Sequence, residues 1–461
     1  MNRRQFIALS GAAFGCSLAG GLGMAAVQRP KRAHLRLQIA GYRLRNGITP
    51  NLVSLSPDGP PPVLVAEQGK SAVFTVENGL DEYTSMHWHG IRLPNAMDGV
   101  PYLTQLPIAG GEVFEYQFTP PDAGTYWYHP HCMTMTQMAR GLTGVLIVKE
   151  TTDPGFDADQ AINLRDFRLD KNDRLRTSFS PRKAARSGTL GNVITANWAT
   201  NPVYDHPAGG LTRLRLVNTD TTRIYRLYLA GGASEIVAWD GHPVETGLPV
   251  PSQDTPLLLG PGQRVDIALV MPSAEGQVVT LNAMLAGQPR PMATLRAVGS
   301  NLARSLADLQ PLAPNPVKRP VLSEAQTHEF VFGWSPDGTA PNNGFCGSLG
   351  SNFWSINRVA WSGDAASSTG PLATLDLGKS YIFRFRNESP NLHPIHLHGL
   401  TFIPLRSNKR KLARNWTDTA LLLKDEVMDV ALVADNPGDW AFHCHVIEHQ
   451  KTGLAGVIRV T

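Results

Sequence analysis

YIFRFRNESPNLHPIHLHG, residues 381–399, opens with apolar and polar residues that alternate from Phe383 to Arg386 and ends in a histidine-rich run closed by a glycine. Alternation at period two marks a strand with one face in a core and one in solvent. The plan recurs twice upstream. SAVFTVENG (71–79) and LTRLRLVNTD (211–220) are also alternating strands that stop at an asparagine, Asn78 and Asn218 against Asn387 here. Each is followed some residues later by a glycine, which closes TSMHWHG (84–90), YRLYLAG (225–231) and HPIHLHG (393–399). A second repeat joins the outer thirds, since GTYWYHPH (124–131) aligns with GDWAFHCH (438–445), glycine to glycine and histidine to histidine. Helical periodicity is sparse. The expectation is an all-β protein of three consecutive Greek-key β-sandwich domains, of which only the outer two carry histidines at the repeated positions.

A length of 461 residues exceeds one ordinary core, and 35 prolines with 43 glycines suit many short strands and turns. DPGFDAD (153–159) and the proline-rich LQPLAPNPVKRP (309–320) read as connections. The expected division is a leader at 1–30, then domains at 31–150, 151–310 and 311–461. Lys and Arg outnumber Asp and Glu by only 42 to 38, so no electrostatic footprint for nucleic acid is present.

The leader MNRRQFIALSGAAFGCSLAGGLGMAAVQRP (1–30) couples paired arginines to an uncharged small-residue stretch. It reads as a twin-arginine export signal cleaved near Ala25 or Ala26, which sends the mature chain to the periplasm. A membrane anchor is the competing reading, but the glycines and alanines make the stretch only weakly apolar. No stable membrane insertion is expected after cleavage.

Beyond the leader lie Cys132, Cys346 and Cys444, an odd number in an oxidising compartment. At least one thiol is left over, and Cys444 between two histidines is the candidate. Whether Cys132 and Cys346 pair is a question that spacing leaves open. Of 14 histidines, ten fall in four short motifs: His87 and His89; His129 and His131; His393, His396 and His398; His443, His445 and His449. A lone HxH is usually the polar face of a strand. Four such motifs at matched positions of repeated domains point to metal.

Strand parity sorts these ligands, because residues two apart share a face and residues one or three apart do not. His396 and His398 point together, and His393 points away. His443 and His445 share a face, with Cys444 on the other. Two sites follow, one of paired imidazoles and one around Cys444, His393 and, past a turn, His449. One thiolate with two imidazoles suits a copper electron-transfer centre, whereas zinc would want a fourth strong ligand. The peptide bonds on either side of Cys444 join the two sites through less than ~10 Å of chain.

HWHG, HPH, HPIHLHG and HCHVIEHQKTGL resemble the four signature motifs of the multicopper oxidases, the family of laccases and bacterial cuprous oxidases, over nearly the whole mature chain. The resemblance implies cupredoxin-like domains and four copper ions per chain: one type 1, one type 2 and two type 3. By position it assigns His393, Cys444 and His449 to type 1 copper and His87 and His396 to type 2. The type 3 pair would take His89, His129, His131, His398, His443 and His445. Relatives place acids beside the cluster, and Asp98 in NAMDGVP resembles one of them, giving it a proton-transfer role; a turn aspartate is the alternative. Two positions depart from the pattern. The axial position ten residues after the cysteine, often Met, is Leu454, which implies a raised reduction potential. The Glu common after the last type 1 histidine is Gln450.

The activity expected is oxidation of phenols or aromatic amines with dioxygen as acceptor. Cuprous oxidation for copper tolerance is the nearest alternative, and a non-catalytic copper carrier or envelope scaffold is the alternative of another class. The electron donor is then a small molecule or a metal ion. Residue pattern does not reach the oligomeric state. Cys132, Met133, Met135 and Met138 in CMTMTQM are soft atoms close in sequence, read as packing before Cu(I) ligation. Trp416 and Asp418 in NWTDTA are read as a packed ring and a turn residue, with contact to substrate near His449 as the alternative.

Overall fold

The computed structural model describes residues 31–248, 251–336, 346–361, 363 and 370–461. The expected leader lies outside the described residues. Among them, no helix is long and apolar enough to cross a membrane.

Six sheets pair into three sandwiches, as the alternating pattern requires. The first holds two four-stranded sheets, built from strands between Lys31 and Lys149. The second holds a six-stranded and a five-stranded sheet between Ala158 and Val298, and the third two five-stranded sheets between Gln326 and Val460. The architecture is therefore all-β, three successive cupredoxin-like domains.

The repeated strands occupy one position in all three. Ala72–Asn78, Leu211–Asn218 and Ser380–Asn387 each run parallel to the opening strand of their domain, Lys31–Tyr42, Ala158–Phe167 and Gln326–Trp334. On the other side each runs antiparallel to Val113–Phe118, Arg264–Val270 or Val427–Val433. The terminal asparagine has a specific task. Its Nδ2 donates to one carbonyl of the loop that follows, Glu82 for Asn78, Arg223 for Asn218 and Asn391 for Asn387, and to one from a distant segment, Ile108, Leu259 and Leu423 respectively. Its Oδ1 accepts the amide two residues on, at Leu80, Asp220 and Ser389. Two bonds from one side chain close each turn and a third ties it to a distant segment, which is why asparagine recurs there.

The middle domain has its own apolar core around Leu216, Ile236, Ile267 and Leu281. By contrast, one contiguous core takes residues from both outer domains, among them Trp88 and Tyr128 from the first and Phe330, Phe442 and Cys444 from the last. Packing thus brings the two histidine-bearing domains together. A disulfide between Cys132 and Cys346, 214 residues apart, ties them covalently. Met135 and Met138 are buried in a small cluster with Trp127 and Ile447, so the methionine run is largely packing. The basic run RSNKRKLARN (406–415), whose charges by themselves suit a solvated loop, is partly built in, because Arg410 pairs at 3.0 Å with the fully buried Glu426.

Candidate metal centre

In the first domain, strand His87–His89 pairs antiparallel with Gly124–His129, setting His87 opposite His129. In the last domain, His393–Leu397 pairs with Gly438–Cys444, setting His396 opposite His443 and Ile395 opposite Cys444. The two HxH strands are therefore equivalent halves of the repeat, each beside a strand that carries the second pair of ligands. All eleven sequence-predicted ligands are buried.

Strand parity separates them as expected. On one face, His89, His129 and His445 bring ligand atoms within 4.8 Å of one another, and so do His131, His398 and His443. His87 and His396 lie between these triads, with His87 stacked on His398 at 3.8 Å and His396 stacked on His89 at 3.7 Å. On the other face, Cys444 Sγ lies 3.5 Å from His393 Nδ1 and 3.6 Å from His449 Nδ1.

The hydrogen bonds define which nitrogen of each ring is bare. A carbonyl only accepts, so a ring nitrogen facing one carries the proton, and the other nitrogen is left with a lone pair. Nδ1 of His87, His396, His129 and His443 donates to the carbonyls of Asp98, Asp418, Pro130 and Cys444. Nδ1 of His398 donates to Asp98 Oδ2 at 2.8 Å. Bare lone pairs then face each other: Nε2 of His398 and Nε2 of His443 are 3.0 Å apart. The same holds on the sulfur side, where His449 Nε2 donates to the Arg186 carbonyl, His393 Nε2 meets Ser389 Oγ, and the two Nδ1 atoms face each other at 3.2 Å. Such pairs repel unless a cation sits between them. Nitrogens with no hydrogen-bond partner complete the set: Nε2 of His87, His129 and His396, Nδ1 of His89 and His131, and both of His445. This donor set fits copper.

Burial, reinforced by neighbouring imidazoles, holds His89, His129, His131, His398, His443 and His445 well below the usual histidine range. Burial alone takes His449 down to about 4. The rings are thus neutral, the state a metal ligand needs. Burial pushes the Cys444 thiol up, so it takes a bound cation to make this sulfur a thiolate.

Asp98 follows a short helical turn at Asn95–Met97, but its side chain is 1% exposed and faces the imidazoles, not solvent. Oδ2 holds His398, while Oδ1 has no hydrogen-bond partner and lies 3.2 Å from His87 Nδ1. Gln450 Nε2 lies 3.3 Å from His131 Nε2, and its Oε1 lacks a partner. Turning this amide end for end lets Oε1 accept from His131 Nε2–H and leaves Nδ1 bare, as in His89. Gln450 thereby orients the His131 ring.

The sequence reading missed what holds this centre from outside. Asp418, read as a turn residue or a contact near His449, instead lies against the other face of the site, its Oδ1 3.1 Å from His89 Nε2 and 3.3 Å from His396 Nδ1. Its charge is held by Arg264 of the middle domain, whose Nη1 and Nη2 donate to the two carboxylate oxygens at 2.8 and 2.7 Å. The remaining donors reach the carbonyls of Thr125, Gly262 and Asp240. All three domains therefore meet at one guanidinium. Gly90, the glycine of HWHG, has a φ of +88°, and a Cβ there would lie 2.4 Å from Arg264 Nη2. A backbone that must pass this close to the fork, in a left-handed conformation, requires glycine. The sequence signal was a charged QRVDI at the start of a middle-domain strand, which alternation assigns to an exposed face.

Multicopper oxidase family models match residues 43–153 and 344–461. The chain is 32% identical over 429 residues to multicopper oxidase MmcO of Mycobacterium tuberculosis, covering 86% of this chain and 80% of that protein. It is 28% identical to Laccase-1 of Botryotinia fuckeliana, covering 86% and 76%. Among solved structures it superposes on a multi-copper oxidase from Pseudomonas thermotolerans with a TM-score of 0.84 at 39% identity, over 94% of this chain and 100% of that one.

Proposed function

This chain belongs to the multicopper oxidase family, and we propose that within it the protein is a laccase-like oxidase, coupling four one-electron oxidations of phenols or aromatic amines to reduction of dioxygen to water. The observation that carries the reading is the sorting of one strand, Gly438–Cys444 and its continuation, into a sulfur face and an imidazole face. In this proposal four copper ions are held per chain. His393, Cys444 and His449 hold type 1 copper, and His87 and His396 hold type 2. His89, His129 and His445 hold one type 3 ion and His131, His398 and His443 the other. Bound copper supplies the one-electron redox chemistry.

The chain's own residues do the rest. Cys444 and its peptide bonds to His443 and His445 give the electron a covalent route between the two faces. Leu454, fully buried, packs in the core that includes Cys444 and offers no donor atom to an oxidised metal, which favours the reduced form. Asp98 Oδ1, without a hydrogen-bond partner beside His87 and His398, is the atom placed to take up and deliver protons. Burial of every ligand excludes bulk water. A cavity of about 170 Å³, lined in part by Gln263, Thr417 and Thr419, reaches the residues behind His89 and His396, since Thr419 Oγ1 lies 3.3 and 3.1 Å from those rings.

The proposal keeps the domain limits 31–150, 151–310 and 311–461, and it places the protein in the periplasm after twin-arginine export. Cuprous oxidation is the second reading; in the soft-atom run Cys132 is in a disulfide, Met135 and Met138 are buried, and Met133 alone is partly exposed. The test is a donor screen on copper-loaded protein, following oxygen uptake, copper content and red absorbance together. Uptake with phenols above that with Cu(I) is expected. A loaded protein that is colourless, or that takes up no oxygen with any donor, sinks the proposal.

A further inference from the structure

His449, which the reading above gives to type 1 copper, is fully buried, and its Nε2 already donates to the Arg186 carbonyl at 2.5 Å. The segment after the short helix Pro181–Ala184 of the middle domain therefore caps the ring. A second middle-domain carbonyl, Ala184, accepts from Trp354 Nε1 at 2.8 Å. That indole is fully buried, 4.6 Å from the His449 ring and 5.0 Å from His393 between centroids. On its far side Trp334 stacks on it at 4.1 Å with only 18° between the planes. Trp334 is 44% exposed. The stack is fixed by register, because the two tryptophans are directly opposed in the antiparallel pair of Gln326–Trp334 with Trp354–Ile356. The backbone of Trp354 is itself pinned to the Thr452 carbonyl, three residues beyond His449.

We propose that Trp334 is the site where donors dock and deliver electrons, and that the Trp334–Trp354 stack bridges the surface to His449. This rests on the reading above that His393, Cys444 and His449 hold type 1 copper. The donor class follows from the surface. An exposed indole face accepts a planar, electron-rich ring by offset stacking. The capping segment carries Arg182, Lys183 and Arg186, all exposed, which attract anions and repel metal cations. Phenols bearing a carboxylate fit both features, and aqueous Cu(I) fits neither. In each event one electron leaves the phenol ring and tunnels through the two indoles to the His449 ring, where bound copper would supply the one-electron acceptor. The phenolic proton passes to water, and neither tryptophan changes its net oxidation state.

The test compares copper-loaded full-length wild type, Trp334→Leu and Trp334→Phe. Anaerobic bleaching of the red band by a hydroxybenzoate is expected to slow about tenfold or more in the Leu variant and to recover largely in the Phe variant, which keeps a stacking ring. Binding of a redox-inert methoxybenzoate to the copper-free full chain, whose fold is checked by far-UV circular dichroism, is expected to weaken about fivefold in the Leu variant alone. The red band and the reduction potential stay as in wild type. With Arg182→Glu and Lys183→Glu together, the anionic phenol slows severalfold more than a neutral one, and the gap narrows in high salt. A Leu variant that bleaches at the wild-type rate overturns the proposal. So does a shifted potential in both tryptophan variants, which would make the stack structural only. If wild type has no red band, the proposed function falls and this inference with it; a normal band with an unaffected Leu variant removes this inference alone.

Discussion

Replacing Arg264 by Met tests whether the middle domain holds the metal centre together. Arg264 is fully buried and spends its donors on Asp418 Oδ1 and Oδ2 and on the carbonyls of Thr125, Gly262 and Asp240. The Asp240 carboxylate also lies 3.4 Å from Nη1. Methionine fills much of the stem's volume but leaves Asp418 and Asp240 buried without a cation. Breaking a buried ion pair from one side costs about 3–5 kcal/mol. For a cooperative unit the size of one domain this lowers the melting temperature by about 6–20 °C. Asp418 also fixes His89 and His396, so copper affinity should fall by about 10–100-fold, the usual effect of losing the group behind a ligand. Arg264→Met combined with Asp418→Asn removes one uncompensated charge and should recover about 1–3 kcal/mol relative to additivity. Melting of the copper-free full chain by circular dichroism and a copper titration read these effects. An Arg264→Met protein that melts with wild type and binds copper as tightly would refute the reasoning.

Leu454→Met places a thioether where Leu454 is fully buried near Cys444, and the potential of the red-absorbing centre should fall in a redox titration; a rise would contradict the axial argument. Asp98→Asn should leave copper content intact and cut oxygen turnover by about 100-fold or more, so full turnover in a loaded variant rules out proton transfer at Asp98. Cys346→Ser opens a 214-residue span between the outer domains and should destabilise the non-reduced protein by about 2–5 kcal/mol, seen as an earlier melt that reductant no longer changes. Burial, then the Asp220 charge, raises Asp166 to about 7, so between pH 4 and 7 the folded state binds more protons than the unfolded. Stability from this group is therefore present at acid pH and lost as pH rises through about 7, and Asp166→Asn should flatten that decline in melting temperature.

The imidazole motifs were legible because each is local. His443, Cys444 and His445 need only the alternation of one strand to be divided between two faces, and the Oδ1 bond of the asparagine at each repeat end needs only its own turn. Asp98 was legible through resemblance, though its burial was not. Asp418 was misplaced, since an aspartate in NWTDTA looks like any turn residue until Arg264, 154 positions away, closes on it. Gln450 looked like a loss, whereas in the fold it orients His131.

By itself the sequence determined the three-fold β repeat, the candidate ligand set and its division into sulfur and imidazole faces. All of these depend on side-chain direction along a strand, which is fixed by backbone geometry within a few residues. Only the tertiary structure decided that Arg264 joins three domains behind the ligands, that Cys132 pairs with Cys346, and that Arg186 covers His449 while Trp334 leads outward from it. Each of those is a meeting of ordinary residues from distant parts of the chain, set by how separate sandwiches pack, and no local pattern encodes it.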